Sequence, residues 1–195
     1  HLQILWPIIR KVNYWTFKIS RQRQPMSSCA SSPAALPLKS LTVIDLGQIY
    51  NGAYATFLMA MAGARVIKIE PQGGEHLRRR ASTGGAALPF AMLNSNKLSA
   101  TLNLKTERGR ELLRQMVARA DVLLENFAPG TMDRLGLGWE QLQEVNPRLV
   151  YASGSGYGLS GPYRDYPAMD LTVQAMAGVM SVTGYADRPP VKAGP

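Results

Sequence analysis

A chain of 195 residues, 46% hydrophobic and 18% charged, is long enough to bury a sizeable core and predicts one domain or slightly more. One cysteine, Cys29, and two histidines, His1 and His76, exclude an internal disulfide framework, a zinc site of ordinary spacing and most histidine-dependent hydrolase triads. The formal charge of +9 does not point to nucleic acid as a partner. Arg10, Lys11, Lys18, Arg21 and Arg23 lie in an acid-free leader, and no RNA-binding aromatic motif, finger or basic helix array follows.

The leader's apolar run LQILWPII is too short to span a bilayer and is broken by Pro7, so no membrane anchor is expected. Two readings of residues 1–25 stay open. They form either an acid-poor, Arg-bearing transit peptide, which implies a mitochondrial protein, or an extension upstream of Met26, which leaves a cytoplasmic one. Residues 27–38 (SSCASSPAALPL) read as a loose lead-in. The expected division is therefore residues 1–38 outside the fold and residues 39–195 forming the domain.

From Leu41 the pattern is regular. LTVIDL and ARVIKIE are short, β-branched-rich runs with YATFLMAMAG between them at helical spacing, which predicts a βαβ unit. LSATLNL (98–104) alternates with period two. Thr106 then offers an N-cap, Glu107 a first-turn acid, and Leu112, Leu113, Met116, Val117 and Ala120 an apolar helical stripe. DVLLEN follows as a strand, WEQLQEV as a helix, LVYAS as a strand, and residues 170–182 as one further helix whose small residues Ala175, Ala177 and Gly178 predict close packing. Strands alternating with helices at this spacing predict an α/β fold: a Rossmann-like, mostly parallel sheet with helices on both faces.

Ligands of open α/β sheets sit outside the carboxyl ends of the strands. Those ends fall at residues 47–52, 70–74, 103–105, 125–130 and 153–161. The last holds GYGLSG, which satisfies G-x-G-x-x-G after a strand. The dinucleotide fingerprint requires a helix to open there, and Pro162, Tyr163 and Pro167 prolong a loop instead, so a nicotinamide-type site is not expected.

GYGLSGP belongs to a set of phrases that resembles the family III CoA-transferases, the group containing formyl-CoA transferase, carnitine CoA-transferase and the α-methylacyl-CoA racemases. The others are VIDLGQIYNGAYAT, LMAMAGARVIKIE, MLNSNKLSATLNL, VLLENFAPGTMDRLGLGWEQLQEVNPRLVYAS and DLTVQAMAGVMSVTG. They run in unbroken order over about residues 39–195 and resemble the N-terminal part of a protein about twice this length. The resemblance implies coenzyme A as substrate, no metal, an acyl-CoA and a carboxylic acid acceptor as reaction partners, and an interlocked homodimer.

CoA carries an adenine, phosphates and a pantetheine arm with two amides, so its site needs scattered cations with backbone and amide partners. By position, the implied contacts are Tyr50 and Asn51 after the first strand; Leu102, Asn103, Leu104 and Lys105 after the third; and Asn126, Phe127, Ala128 and Arg134 after the fourth. Lys105 and Arg134 are the implied phosphate partners. Each also has a plainer reading: Lys105 as a solvated lysine, Asn126 in an Asx-type turn, Arg134 as a helix-surface arginine and Glu125 as a structural holder of its turn.

Two departures stand out. Similar proteins commonly place an arginine after the strand-two glutamate; here Pro71 follows Glu70, which leaves Arg78, Arg79 and Arg80 as substitutes. The racemase branch enters the final helix on a His-Asp pair, whereas this chain has Met169 and Asp170. A thioether cannot exchange a proton with an α-carbon, so racemization is disfavoured; a non-catalytic CoA-binding module is a further alternative. The family's nucleophile is an aspartate in a Gly-Asp phrase expected a few residues beyond PPVKAGP, outside these 195 residues. For Asp170, N-capping the last helix is the expected duty.

Overall fold

Alternating burial places helices on both faces of the central sheet. In the strands β2 (Thr42–Asp45) and β3 (Arg65–Glu70), Val43 and Val66 pack against Ala60 and Ala64 at the end of helix α1 (Asn51–Met61). Ile44, Ile67 and Ile69 face the opposite way, into a larger core with Leu113, Val117, Leu137 and Leu142. That core is roofed by α3 (Glu107–Val117) and α5 (Trp139–Val145). The period of two in the strands and the 3.6-residue stripe of α3 account for this layering. The computed structural model describes residues 9–11, 36–80 and 87–194.

The sheet has six strands in the order β1-β4-β3-β2-β5-β6, with β1 (Ile9–Lys11), β4 (Leu98–Thr101), β5 (Val122–Glu125) and β6 (Val150–Ser153) completing the set. β2 to β6 are mutually parallel, and β1 pairs antiparallel with β4, Ile9 opposite Ala100. The chain winds outward from β2 through β3 to β4, then returns to the other side of β2 with β5 and β6. The order therefore reverses between β2 and β5, opening a crevice at their carboxyl ends.

Several details differ from the sequence-based expectations. Residues 9–11 belong to the sheet, because β4 would otherwise present an open edge whose backbone groups an extended segment can satisfy. The lead-in also folds onto the domain before residue 39: the Leu38 N–H donates to the Ala62 carbonyl at 3.0 Å, and Leu36 lies against Gly63. The third strand ends at Thr101 rather than Leu104. Helix 170–182 is two pieces, α6 (Asp170–Met176) and a 3-10 turn over Val179–Val182, because Gly178 takes φ 76° and stops the first. α6 has no buried residue among those described, so its small residues do not reflect packing against the described part of the chain. Asp170 is its first residue rather than its cap; its carboxylate accepts from Gln174 Nε2 at 2.9 Å.

Three short elements had no counterpart in the sequence pattern: a 3-10 turn over His76–Arg79, α2 (Leu88–Asn94) and α4 (Thr131–Arg134). The 3-10 turn and α4 span four residues each, too brief to show a helical period, and α2 (LPFAMLN) is apolar at every position but its last, so no face stands out. The Thr106 cap is present, its hydroxyl accepting from the Gly109 N–H at 3.2 Å. GYGLSG lies in the loop between β6 and α6, with Gly158 and Gly161 at positive φ.

Candidate functional site

The floor of the crevice is the loop joining β2 to α1. Gly47 and Gly52 face each other so closely that a Cβ on Gly47 would lie 2.7 Å from the Gly52 carbonyl carbon. No larger pair permits α1 to start this near the strand end. Across the switch point, Asn126 follows β5. Its Oδ1 accepts from the Gln48 N–H at 2.7 Å and its Nδ2 donates to the Gln48 carbonyl at 2.9 Å. Asn126 therefore spans the two strand ends instead of closing an Asx turn. Glu125 does hold its own turn, accepting from the Phe127 N–H at 2.7 Å. It also faces Tyr151, whose phenol is pushed well above its ordinary pKa by burial and by this carboxylate.

Beneath the loop, on the α1 face, lies a set of buried ionic side chains. Asp45 Oδ1 accepts from the Gly47 N–H at 2.7 Å, while Oδ2 accepts from Thr56 Oγ1 at 2.7 Å and Lys97 Nζ at 2.9 Å. Lys97 also donates to the Ala53 carbonyl and to Asn94. Burial holds the Lys97 pKa below the usual lysine value although Asp45 pulls it up. Lys68 Nζ donates to the Gly47 carbonyl at 2.6 Å. Glu75 Oε1 accepts from the Ile49 N–H at 2.8 Å. Its other oxygen is buried without a hydrogen-bond partner among the described residues, 3.9 Å from Lys68 Nζ. Ile49 sits at φ 59°, a left-handed conformation that costs an L-residue about 1–2 kcal/mol.

Pro71 follows Glu70, and the three arginines farther along take different places. Arg78 makes a two-pronged pair with Glu70, at 2.5 and 2.7 Å, and stacks 3.9 Å over the Phe90 ring. Burial alone would push the Glu70 carboxyl up; Arg78 and Ser99 outweigh it and hold the carboxyl below its usual range. Arg79 donates to the Gly73 carbonyl. Arg80 lines the crevice.

Two adjoining cavities occupy the crevice. One, of about 650 Å³, is lined by Gln48 to Asn51, Arg80 and Asn126; the other, of about 700 Å³, by Phe127 to Pro129, Gly154 to Gly156 and Arg164 to Pro167. They share Asn51, Asn126 and Ala168 to Asp170. Of the residues predicted from the sequence, Tyr50, Asn51, Asn126, Phe127 and Ala128 are thus brought together. Leu102 and Leu104 turn their side chains into the main core. Asn103, Lys105 and Arg134 are exposed and line neither cavity. Lys105 gives its N–H to Asn103 Oδ1, and Arg134 binds the Thr131 hydroxyl at 2.9 Å.

The buried ions under the loop were missed, although a signal existed: Asp45, Lys68 and Glu70 interrupt otherwise apolar strands. Among the described residues no cluster of metal-ligating side chains occurs, and no helix is long and apolar enough to cross a membrane.

A doubly wound α/β sheet with a lined crevice at its switch point is the arrangement in which open α/β folds place small-molecule sites. Residues 38–195 match the model of CoA-transferase family III, and the chain belongs to that family. It is 49% identical over 160 residues to the acetyl-CoA:oxalate CoA-transferase of Acetobacter aceti, covering 81% of this chain and 41% of that protein. To the formyl-CoA:oxalate CoA-transferase of Streptomyces avermitilis it is 45% identical, over 80% of this chain and 39% of that one. Among solved structures, a CAIB/BAIF family protein from Brucella suis superposes with a TM-score of 0.78 at 39% identity, over 82% of this chain and 44% of that one. The chain spans about two fifths of the length of these curated relatives.

Proposed function

We propose that the crevice holds coenzyme A and that the whole protein moves CoA from an acyl-CoA to a carboxylic acid. The observation that carries this reading is the convergence of Tyr50, Asn51, Asn126, Phe127 and Ala128 on adjoining cavities at the switch point. An elongated ligand with amides and phosphates matches such a lining, with Arg80 and Arg164 at its walls and Lys105 and Arg134 outside them.

In the proposed reaction an aspartate carboxylate attacks the acyl-CoA carbonyl, forming a mixed anhydride and releasing CoA thiolate. The thiolate attacks the aspartyl carbonyl, giving an aspartyl-CoA thioester and freeing the donor acid. The acceptor carboxylate then reverses both steps. That aspartate is expected beyond Pro195, so residues 1–195 bind CoA without transferring it. Met169, which lines both cavities where the racemase branch has histidine, weighs against racemization. The exposed apolar side chains Leu171, Met176, Val179 and Val182 support a homodimer in the whole protein.

Calorimetric titration with CoA tests the site. The folded chain is expected to bind CoA, and Arg80→Ala or Arg164→Ala, each at a cavity wall, to weaken binding roughly tenfold at low salt, since a charge-assisted phosphate contact contributes about 1–3 kcal/mol; the loss shrinks as salt rises. Absence of binding at millimolar CoA refutes the reading. Unchanged affinity in both variants removes these two residues from the site.

A further inference from the structure

Two consecutive peptide units of the β2–α1 loop are gripped at both ends by side chains. In the first, the Gly47 carbonyl accepts from Lys68 and the Gln48 N–H donates to Asn126. In the second, the Gln48 carbonyl accepts from Asn126 and the Ile49 N–H donates to Glu75. A connection that needed just to turn would place glycine at the positive φ. Here a β-branched isoleucine occupies it at φ 59°, with half of a buried carboxylate given to its N–H and the other oxygen lacking a hydrogen-bond partner among the described residues. Strain and an under-satisfied buried charge persist where the surroundings over-determine a conformation, and such spots cluster at ligand sites.

We infer that Glu75 is a positioning residue for the ligand of the crevice: by holding the Ile49 peptide it fixes the left-handed turn that places Ile49, Tyr50 and Asn51 along the first cavity. Glu75 reaches the loop from the opposite side, at the start of the 3-10 turn after β3, and its own N–H is held by Glu70 Oε2 at 3.2 Å. Glu70 is in turn clamped by Arg78. The Glu70–Arg78 pair therefore serves the cavity indirectly, through the backbone that carries Glu75. Glu75 does not line either cavity and acts through Ile49.

The inference rests on CoA being the ligand, and the test separates the two. CoA affinity is measured by calorimetry, and folding by melting temperature, for the unmutated protein, Glu75→Ala, Ile49→Gly and the double variant. Glu75→Ala is expected to weaken CoA binding at least tenfold, because the isoleucine relaxes to negative φ. Ile49→Gly in the same protein is expected to restore most of the loss, since glycine adopts the left-handed turn without strain. A residue that merely stabilised the fold would lower the melting temperature and show no such rescue of affinity. If Glu75→Ala does not fold, Glu75→Asp, one methylene shorter with its charge kept, is expected to show the same loss and the same rescue. CoA binding by the unmutated protein with equal affinity in a folded Glu75 variant overturns the role of Glu75; equal loss with and without Ile49→Gly overturns it as well. No binding by the unmutated protein instead overturns the CoA reading.

Discussion

Replacing Lys97 by methionine tests whether the buried ions are one mutually dependent set. Lys97 is 4% exposed and Asp45 fully buried. The ammonium is held by Asp45, Thr56, Asn94 and the Ala53 carbonyl, at 2.8 to 3.0 Å. Methionine fills a similar volume, so the packing loss is small and the effect is electrostatic. Removing one partner of a buried pair leaves an uncompensated charge and costs about 3–5 kcal/mol. Against a total stability of about 5–15 kcal/mol, and at about 2–4 °C per kcal/mol for a chain of this size, the melting temperature should fall by roughly 6–20 °C. Asp45→Asn added to Lys97→Met removes the orphaned charge while keeping an acceptor for the Gly47 N–H, so the double variant should melt above the single one. Calorimetric melting of the three proteins at neutral pH decides the matter. A drop of less than about 3 °C for Lys97→Met, or a double variant no better than the single, would show that the pair is not coupled as described.

The acid limb of stability should report Glu70. Its folded-state pKa lies below the unfolded one, so its contribution is complete above the unfolded pKa and is lost as pH falls through the folded value; Arg78→Met should flatten that limb in a plot of melting temperature against pH. Lys97 acts at the other end. Its folded pKa lies below the unfolded value, so the unfolded chain binds more protons between the two and stability should rise with pH across that alkaline window, a rise that Lys97→Met abolishes. Gly109→Ala in the first turn of α3 should destabilise, against the usual gain of about 0.5–1 kcal/mol for removing a helical glycine, because the added Cβ would lie 2.0 Å from the Asn103 carbonyl oxygen; urea unfolding that shows a gain would refute this.

The layered sheet was legible because its signals are local and repeated. LTVIDL, ARVIKIE and DVLLEN each carry enough β-branched or leucine residues to define a strand, and Leu113 and Val117 one turn apart define the buried stripe of α3. What failed was short or depended on a partner. α4 spans four residues, too few for a period to appear, and α2 is apolar at every position but Asn94, so no face stands out. β1 pairs with an edge that exists only after β4 has formed. The last helix looked continuous because Ala177 and Gly178 are small, and small residues at a helix end indicate a stop as readily as a packing surface.

The crevice was legible in outline for a different reason: position at a carboxyl strand end is a topological property, and topology follows from the order of strands and helices. Tyr50, Asn51 and Asn126 were placed at the site on that ground together with the family resemblance. How Asn126 works could not be read from its neighbours Phe127 to Gly130, which suggest a turn, because its two partners lie on Gln48, 78 positions away. The same distance hides the role of Glu75. Preceded by two glycines and followed by His76 and three arginines past Leu77, it has the sequence environment of a surface loop, yet it is 3% exposed. A clue lay in the strands themselves, where the cation Lys68 sits in the middle of RVIKIE. A buried cation requires an acceptor or an anion within reach, and the Gly47 carbonyl and the Glu75 carboxylate meet that requirement here. Charges set inside apolar strands near their carboxyl ends thus point to buried supports for the loops above them, and in this chain those supports stand directly beneath the crevice.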